Sequence, residues 1–250
     1  MSWWDIVAVQ PMTNILIVLS HFLFNSSGLA IIAITIIVNL AILPLTMKQI
    51  KSTKAMQDIQ PKLLELQKKY AKDKQKFAQE QMKLYREAGM SPAGCILPML
   101  VQMPIWFALY QAVIRLLAAT PEGFLDLGRY LYSWPQVFSI LPLSNKFLWF
   151  DLSIADYYLV LPILVGATMW VQQKMSTIPS PDPRQQSQSQ MMLWMMPLIF
   201  TFFSLQFPSG LALYWVVSSL MRIGIQYFVT GWGGLLPQKP AGQAVVKKTE

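Results

Sequence analysis

The 250 residues are 54% hydrophobic and only 13% charged, with a formal net charge of +8, a balance too apolar for an ordinary soluble domain, so a membrane must supply much of the core. One cysteine, Cys95, excludes an internal disulfide and a cysteine-based metal cluster. With a single histidine, His21, and neither a Gly-rich phosphate loop nor a nucleophile elbow, the chain shows no catalytic or metal-binding constellation.

Residues 3–24 mix Ile, Leu, Val and Trp with Asp5, Gln10, Pro11, Asn14 and His21, a pattern that predicts an amphipathic helix lying at an interface. With no Lys or Arg before Lys48, the start lacks the basic region of a secretory signal peptide. We read 1–26 as an extracytoplasmic segment. Residues 28–45 are almost wholly apolar and end at Pro44 and a basic flank, the length that crosses a ~30 Å hydrocarbon core. This is the first predicted span, bounded at 27–47.

Residues 48–92 then carry 11 of the 20 Lys and Arg against five acids, and the positive-inside bias keeps such a segment in the cytoplasm. Ile59, Leu63, Leu66 and Tyr70 follow a four-three-four spacing, and Phe77, Leu84 and Ala88 repeat it beyond a polar stretch. Two short helices pairing as an antiparallel hairpin over 48–94 follow from that seam. Pro61 fits a first helical turn, so the first helix begins or kinks near Ile59, while Gly89, Ser91 and Pro92 stop the second. The charge suits anionic partners, lipid headgroups or ribosomal RNA, and equally a solvated loop that only sets orientation.

Region 95–229 holds four more predicted spans: 95–117, interrupted by Pro98 and Pro104; 157–173; 191–207; and 211–229. Between them lie residues 118–156, a short Pro/Ser/Gln-rich loop at 174–190, and a tight turn at Pro208, Ser209 and Gly210. The tail, 230–250, carries Lys239, Lys247 and Lys248. The expected fold is thus an all-α polytopic membrane protein of five transmembrane helices, N-terminus outside and C-terminus cytoplasmic, which puts every basic cluster on one side.

All 12 acidic residues fall outside these spans, and the sequence reading finds neither intramembrane charge nor an internal repeat, which weighs against an ion-coupled transporter. The uncharged polar groups inside them are Thr35, Asn39, Gln102, Gln111, Gln172, Thr201, Ser204, Ser218 and Ser219. Each either ties helices together, at ~0.6–2 kcal/mol per contact, or helps line a hydrated groove. Met191, Met192, Met195 and Met196 suit either a surface that meets varied apolar sequences or a plain membrane core. Trp170, Trp194, Trp215 and Trp232 are placed for interfacial anchoring.

The stretches GLAIIAITIIVNLAILPLTMKQIKS (28–52), MQDIQPKLLELQKKY (56–70), MKLYREAGMSPAGCILPMLVQMPIWFALYQAV (82–113) and PSGLALYWVVSSL (208–220), in this order and with these loops between them, closely resemble the YidC membrane protein insertases, relatives of the organelle oxidase-assembly insertases. The resemblance covers nearly the whole chain and is that of the short form, without the large extracytoplasmic domain of the Gram-negative branch. It implies a non-enzymatic insertase and chaperone of the cell membrane, working without a cofactor through a hydrophilic groove open to cytoplasm and lipid. The partners it implies are nascent membrane proteins, the ribosome, a targeting factor, the general translocon and membrane lipids, not DNA. Trp215 and Gln172 match groove-facing positions, and polarity and placement add Thr35, Gln102 and Ser218. Asn39 stands where the family usually carries an arginine that attracts acidic client tails, which implies less dependence on client acidity. An assembly factor without insertase activity and a small-solute transporter are the alternatives.

Overall fold

A computed structural model of the chain describes residues 2–71, 73–88, 93–117, 127–132, 143–177 and 183–235. A π-helical turn, Asp5–Val9, leads into α1, Gln10–Phe22. Then follow α2, Ser27–Ala41; α3, Leu43–Asp58; α4, Gln60–Lys69; α5, Lys74–Glu87; and α6, Ala93–Leu116. A small antiparallel hairpin, β1 (Lys146–Phe147) and β2 (Phe150–Asp151), precedes α7, Val160–Ser176; α8, Pro183–Ser204; and α9, Ser209–Thr230. Among the described residues, Asp5–Phe22 and Ser209–Thr230 are each long and apolar enough to cross a membrane, and α2 with α3 makes a third, bent by 62°.

The core is a helix bundle. Leu16 and Ile17 of α1, Ile31 and Ile34 of α2, Leu109 and Val113 of α6, Leu161 and Val165 of α7, and Leu211 and Trp215 of α9 form one buried apolar cluster. α8 packs chiefly on α7, and much of its apolar surface, including Leu198 and Phe202, faces outward. Gly166 makes the α7–α8 approach possible, since a β-carbon there would stand 2.5 Å from the Thr201 hydroxyl oxygen.

Several sequence expectations change. The first span is not one straight helix: Ile42 serves both as C-cap of α2 and N-cap of α3, because Pro44, in the first turn of α3, has no N–H to continue the α2 ladder. The basic residues Lys48, Lys51 and Lys54, counted with the hairpin at 48–94, belong to α3, and the paired helices are α4 and α5. Conversely, Pro98 and Pro104 do not break α6, which runs unbroken through both; helices of this kind re-satisfy the freed carbonyls locally. The Pro/Ser/Gln-rich loop at 174–190 is mostly helix, with α7 reaching Ser176 and α8 starting at Pro183, since proline suits a first turn and glutamine is a good helix former. The segment 3–24 is helical as expected, but Val9, Thr13, Asn14, Leu16, Ile17 and Ser20 are buried in the bundle. Pro61 does open α4 with Ile59 as N-cap. Gly89, Ser91, Pro92 and the three tail lysines lie outside the described residues.

Candidate functional site

Four of the six groove candidates converge where α2, α6 and α9 meet, and two i, i+4 spacings bring them there. Thr35 and Asn39 lie one turn apart on α2; Tyr214, Ser218 and Arg222 form a row along α9. Asn39 is 2% exposed. Its side-chain amide donates to the Thr35 carbonyl at 2.8 Å and to Ser218 Oγ at 3.0 Å, joining α2 to α9. Thr35, fully buried, turns its hydroxyl back to the Ile31 carbonyl.

Gln102 bridges the same face of α9 from α6. Its Nε2 donates to the Tyr214 hydroxyl, and its Oε1 accepts from a terminal guanidinium nitrogen of Arg222 at 2.8 Å. Arg222 corrects the view that the spans are free of charge, and its signal was available in the sequence as a lone basic residue inside the apolar run 211–229. Placing arginine at a helix centre costs roughly 2.5–3.5 kcal/mol on insertion scales. Arg115, the other basic residue inside a predicted span, lies 3.7 Å from Asp5 and 4.4 Å above the Tyr130 ring. Nearby, Asn14 holds residues 130–132 by donating to the Tyr130 carbonyl and accepting from the Tyr132 N–H.

Trp215, the fifth candidate, lies inside the bundle rather than in an interfacial belt. It stacks on Trp106 at 6.1 Å and meets Phe200 edge-on at 5.0 Å. The Trp106 indole N–H is buried without a hydrogen-bond partner. Trp170 and Trp194 pair across α7 and α8, and Trp232 packs on Tyr227. Gln172, the sixth, sits half-buried on α7, and none of the hydrogen bonds described above reaches it.

The hairpin candidates form the expected seam. Ile59, Leu63, Leu66, Tyr70, Phe77 and Leu84 are all half-buried, and α4 packs against α5. Asp73 caps α5 by accepting from the Lys76 N–H at 3.0 Å. On α8, Met191, Met192 and Met195 are exposed beside Trp194. An open apolar recess of about 430 Å³ is lined by Trp4, Leu100, Met103, Pro104, Phe107 and Gln111; by helical period it occupies the face of α6 opposite Gln102.

The architecture has relatives. The family model described as 60Kd inner membrane protein matches residues 18–233. Membrane protein insertase YidC 2 of Bacillus anthracis is 38% identical over 233 residues, covering 91% of this chain and 81% of that protein. Membrane protein insertase MisCA of Bacillus subtilis is 36% identical over 234 residues, covering 92% and 80% respectively. Membrane protein insertase YidC of Syntrophus aciditrophicus is 41% identical over 211 residues, but the match spans only 34% of its length. A crystal structure of an active YidC insertase with its first transmembrane domain resolved superposes with a TM-score of 0.61 at 28% identity, over 91% of this chain and 47% of that one. The chain therefore belongs to the 60Kd inner membrane protein family, that of the YidC membrane protein insertases.

Proposed function

We propose that this protein is a membrane protein insertase and chaperone, a multi-pass protein of the cell membrane that moves the polar tail of a nascent membrane protein while its apolar segment enters lipid. The observation that carries this reading is the polar row inside an apolar bundle: Thr35, Asn39, Ser218, Tyr214, Gln102 and Arg222 at the meeting of α2, α6 and α9. Buried polar groups in hydrocarbon are costly, and a contiguous set of them offers a client's polar groups replacements for water. With Trp215 and Gln172 it forms the proposed client groove.

Five spans are proposed, with Asp5–Phe22, itself long and apolar enough to cross, kept as an extracytoplasmic helix. At ~1.5 Å per residue, α6 with 24 residues and α8 and α9 with 22 each reach ~33–36 Å, against a ~30 Å core; α7 and the bent α2–α3 pair complete the set. In the proposed topology the N-terminus is outside, the C-terminus and the α4–α5 hairpin are cytoplasmic, and α1 packs along the outer side of the bundle. The hairpin then offers its basic surface to incoming clients, to the ribosome or targeting factor, and to lipid headgroups. No nucleotide or cofactor is needed, because burying roughly 20 apolar client residues in lipid is itself downhill.

Reconstitution tests the reading. Liposomes containing the purified chain should render the translocated tail of a short single-spanning client resistant to external protease, and protection no greater than in empty liposomes would favour an assembly role without insertion.

A further inference from the structure

Arg222 sits in the interior of α9 with neutral partners. One of its five N–H donors goes to Gln102 Oε1 at 2.8 Å. Gln102 itself is held by Tyr214, so its carbonyl is aimed at Arg222 rather than free to turn. The ion pair among the described residues is Asp5 with Arg115, and no described carboxylate reaches Arg222. A guanidinium stays protonated at any relevant pH, so the polar row carries one full positive charge with no counter-ion among the described residues.

The depth of that charge selects what can neutralise it. Arg222 precedes the end of α9 at Thr230 by eight residues, or ~12 Å of helix rise. Its guanidinium is engaged across the helix pair by Gln102 of α6. A lipid phosphate stays at the membrane surface, whereas a polypeptide passing through the groove brings Asp or Glu carboxylates to this level. Asn39 is adjacent through Ser218, which is one turn from Arg222 on the same face of α9. A second cation at position 39 would stand beside the first and repel it, while the neutral amide ties α2 to α9 and leaves Arg222 as the single charge.

We propose that Arg222, positioned by Gln102, is the specificity-determining cation of the groove and receives acidic residues of the client's translocated tail, so that acid dependence is kept despite Asn39. This rests on the insertase reading and adds to it which helix carries the charge. A carboxylate on a planar guanidinium makes charge-assisted, bidentate hydrogen bonds that lysine only partly reproduces and glutamine does not.

The test uses the full chain in liposomes and two single-spanning clients identical except for two Asp or two Asn in the translocated tail. The readout is the ratio of protease-protected Asp-tail to Asn-tail product, normalised to monodisperse chain recovered from the vesicles. Arg222→Gln is expected to lower that ratio about tenfold, the factor of one charge-assisted hydrogen bond. Arg222→Lys should keep much of it, and Asn39→Arg added to Arg222→Gln should restore it. An unchanged ratio in Arg222→Gln, including both clients falling together while Arg222→Lys stays well folded, would overturn the role of Arg222 alone. Wild-type chain that inserts neither client would bring down the insertase reading as well.

Discussion

The β1–β2 hairpin and the α4–α5 hairpin are built in opposite ways. The β1–β2 hairpin and the residues just after it are tied into the bundle through their main-chain carbonyls: Ser209 N–H donates to the Ile154 carbonyl at 2.7 Å, Gly210 N–H to the Leu152 carbonyl at 3.1 Å, and Ser209 Oγ to the Asp151 carbonyl at 2.6 Å. Phe147 packs so closely on Gly28 that a β-carbon there would lie 2.2 Å from its ring. The helical hairpin α4–α5 has no buried residue among those described and is held by its own seam and the Asp73 cap. One end of the bundle is fixed by contacts far apart in sequence, and the other carries an arm whose stability is local. An arm of that kind can reorient without disturbing the groove, which suits a first contact for varied clients.

Substitutions sharpen this contrast when ranked by their expected effect on bundle stability. Gly28→Ala should be the most damaging, since the added methyl meets the Phe147 ring and β-carbon; overpacking predicts a loss of about 1–3 kcal/mol, read as a lower melting temperature in detergent. Adding Phe147→Ala should recover part of it, and a melt unaffected by Gly28→Ala would show that the β-hairpin end is looser than its packing implies. Next comes the Asn39–Ser218 tie. A double-mutant cycle with Asn39→Ala and Ser218→Ala should give a coupling of roughly 0.6–1.7 kcal/mol, the range for hydrogen bonds between membrane helices. Asp5→Asn should cost about 0.5 kcal/mol and matter less as salt rises, because its pair with Arg115 is partly exposed. Leu66→Ala with Leu84→Ala should leave the bundle melt within about 0.5 kcal/mol while speeding hydrogen exchange in the hairpin and reducing client insertion in liposomes. A large drop in the bundle melt would mean that the arm and the bundle unfold together.

Legibility in the sequence followed the range of the interactions involved. The hairpin seam could be read because Ile59, Leu63, Leu66 and Tyr70 repeat with the helical period and Pro61 marks a first turn, both local properties. Asn39 stood out as an amide within an apolar run. Its partner Ser218, 179 positions away, could be proposed only as one polar group among several. Arg222 is legible as the lone basic residue inside the apolar run 211–229, but its partner Gln102, 120 positions away, is not. The misjudged breaks have one cause. A proline marks a possible break, but whether the helix bends there, as at Pro44, or continues, as at Pro98 and Pro104, depends on what neighbouring groups do with the freed carbonyl.

The sequence by itself determined that this chain lives in a membrane, that its basic arm is a paired helical hairpin, and which polar residues sit in otherwise apolar helices. Composition and period act over a few turns of chain, so one strand of text suffices to read them. Only the tertiary structure decided that Asn39 answers to Ser218, that Gln102 aims at Arg222, that Trp215 stacks inside the bundle rather than at an interface, and that the β1–β2 hairpin closes one end over Gly28. Those pairings join residues far apart in sequence, and they are selected by which helix faces can approach closely enough to satisfy buried polar groups away from water.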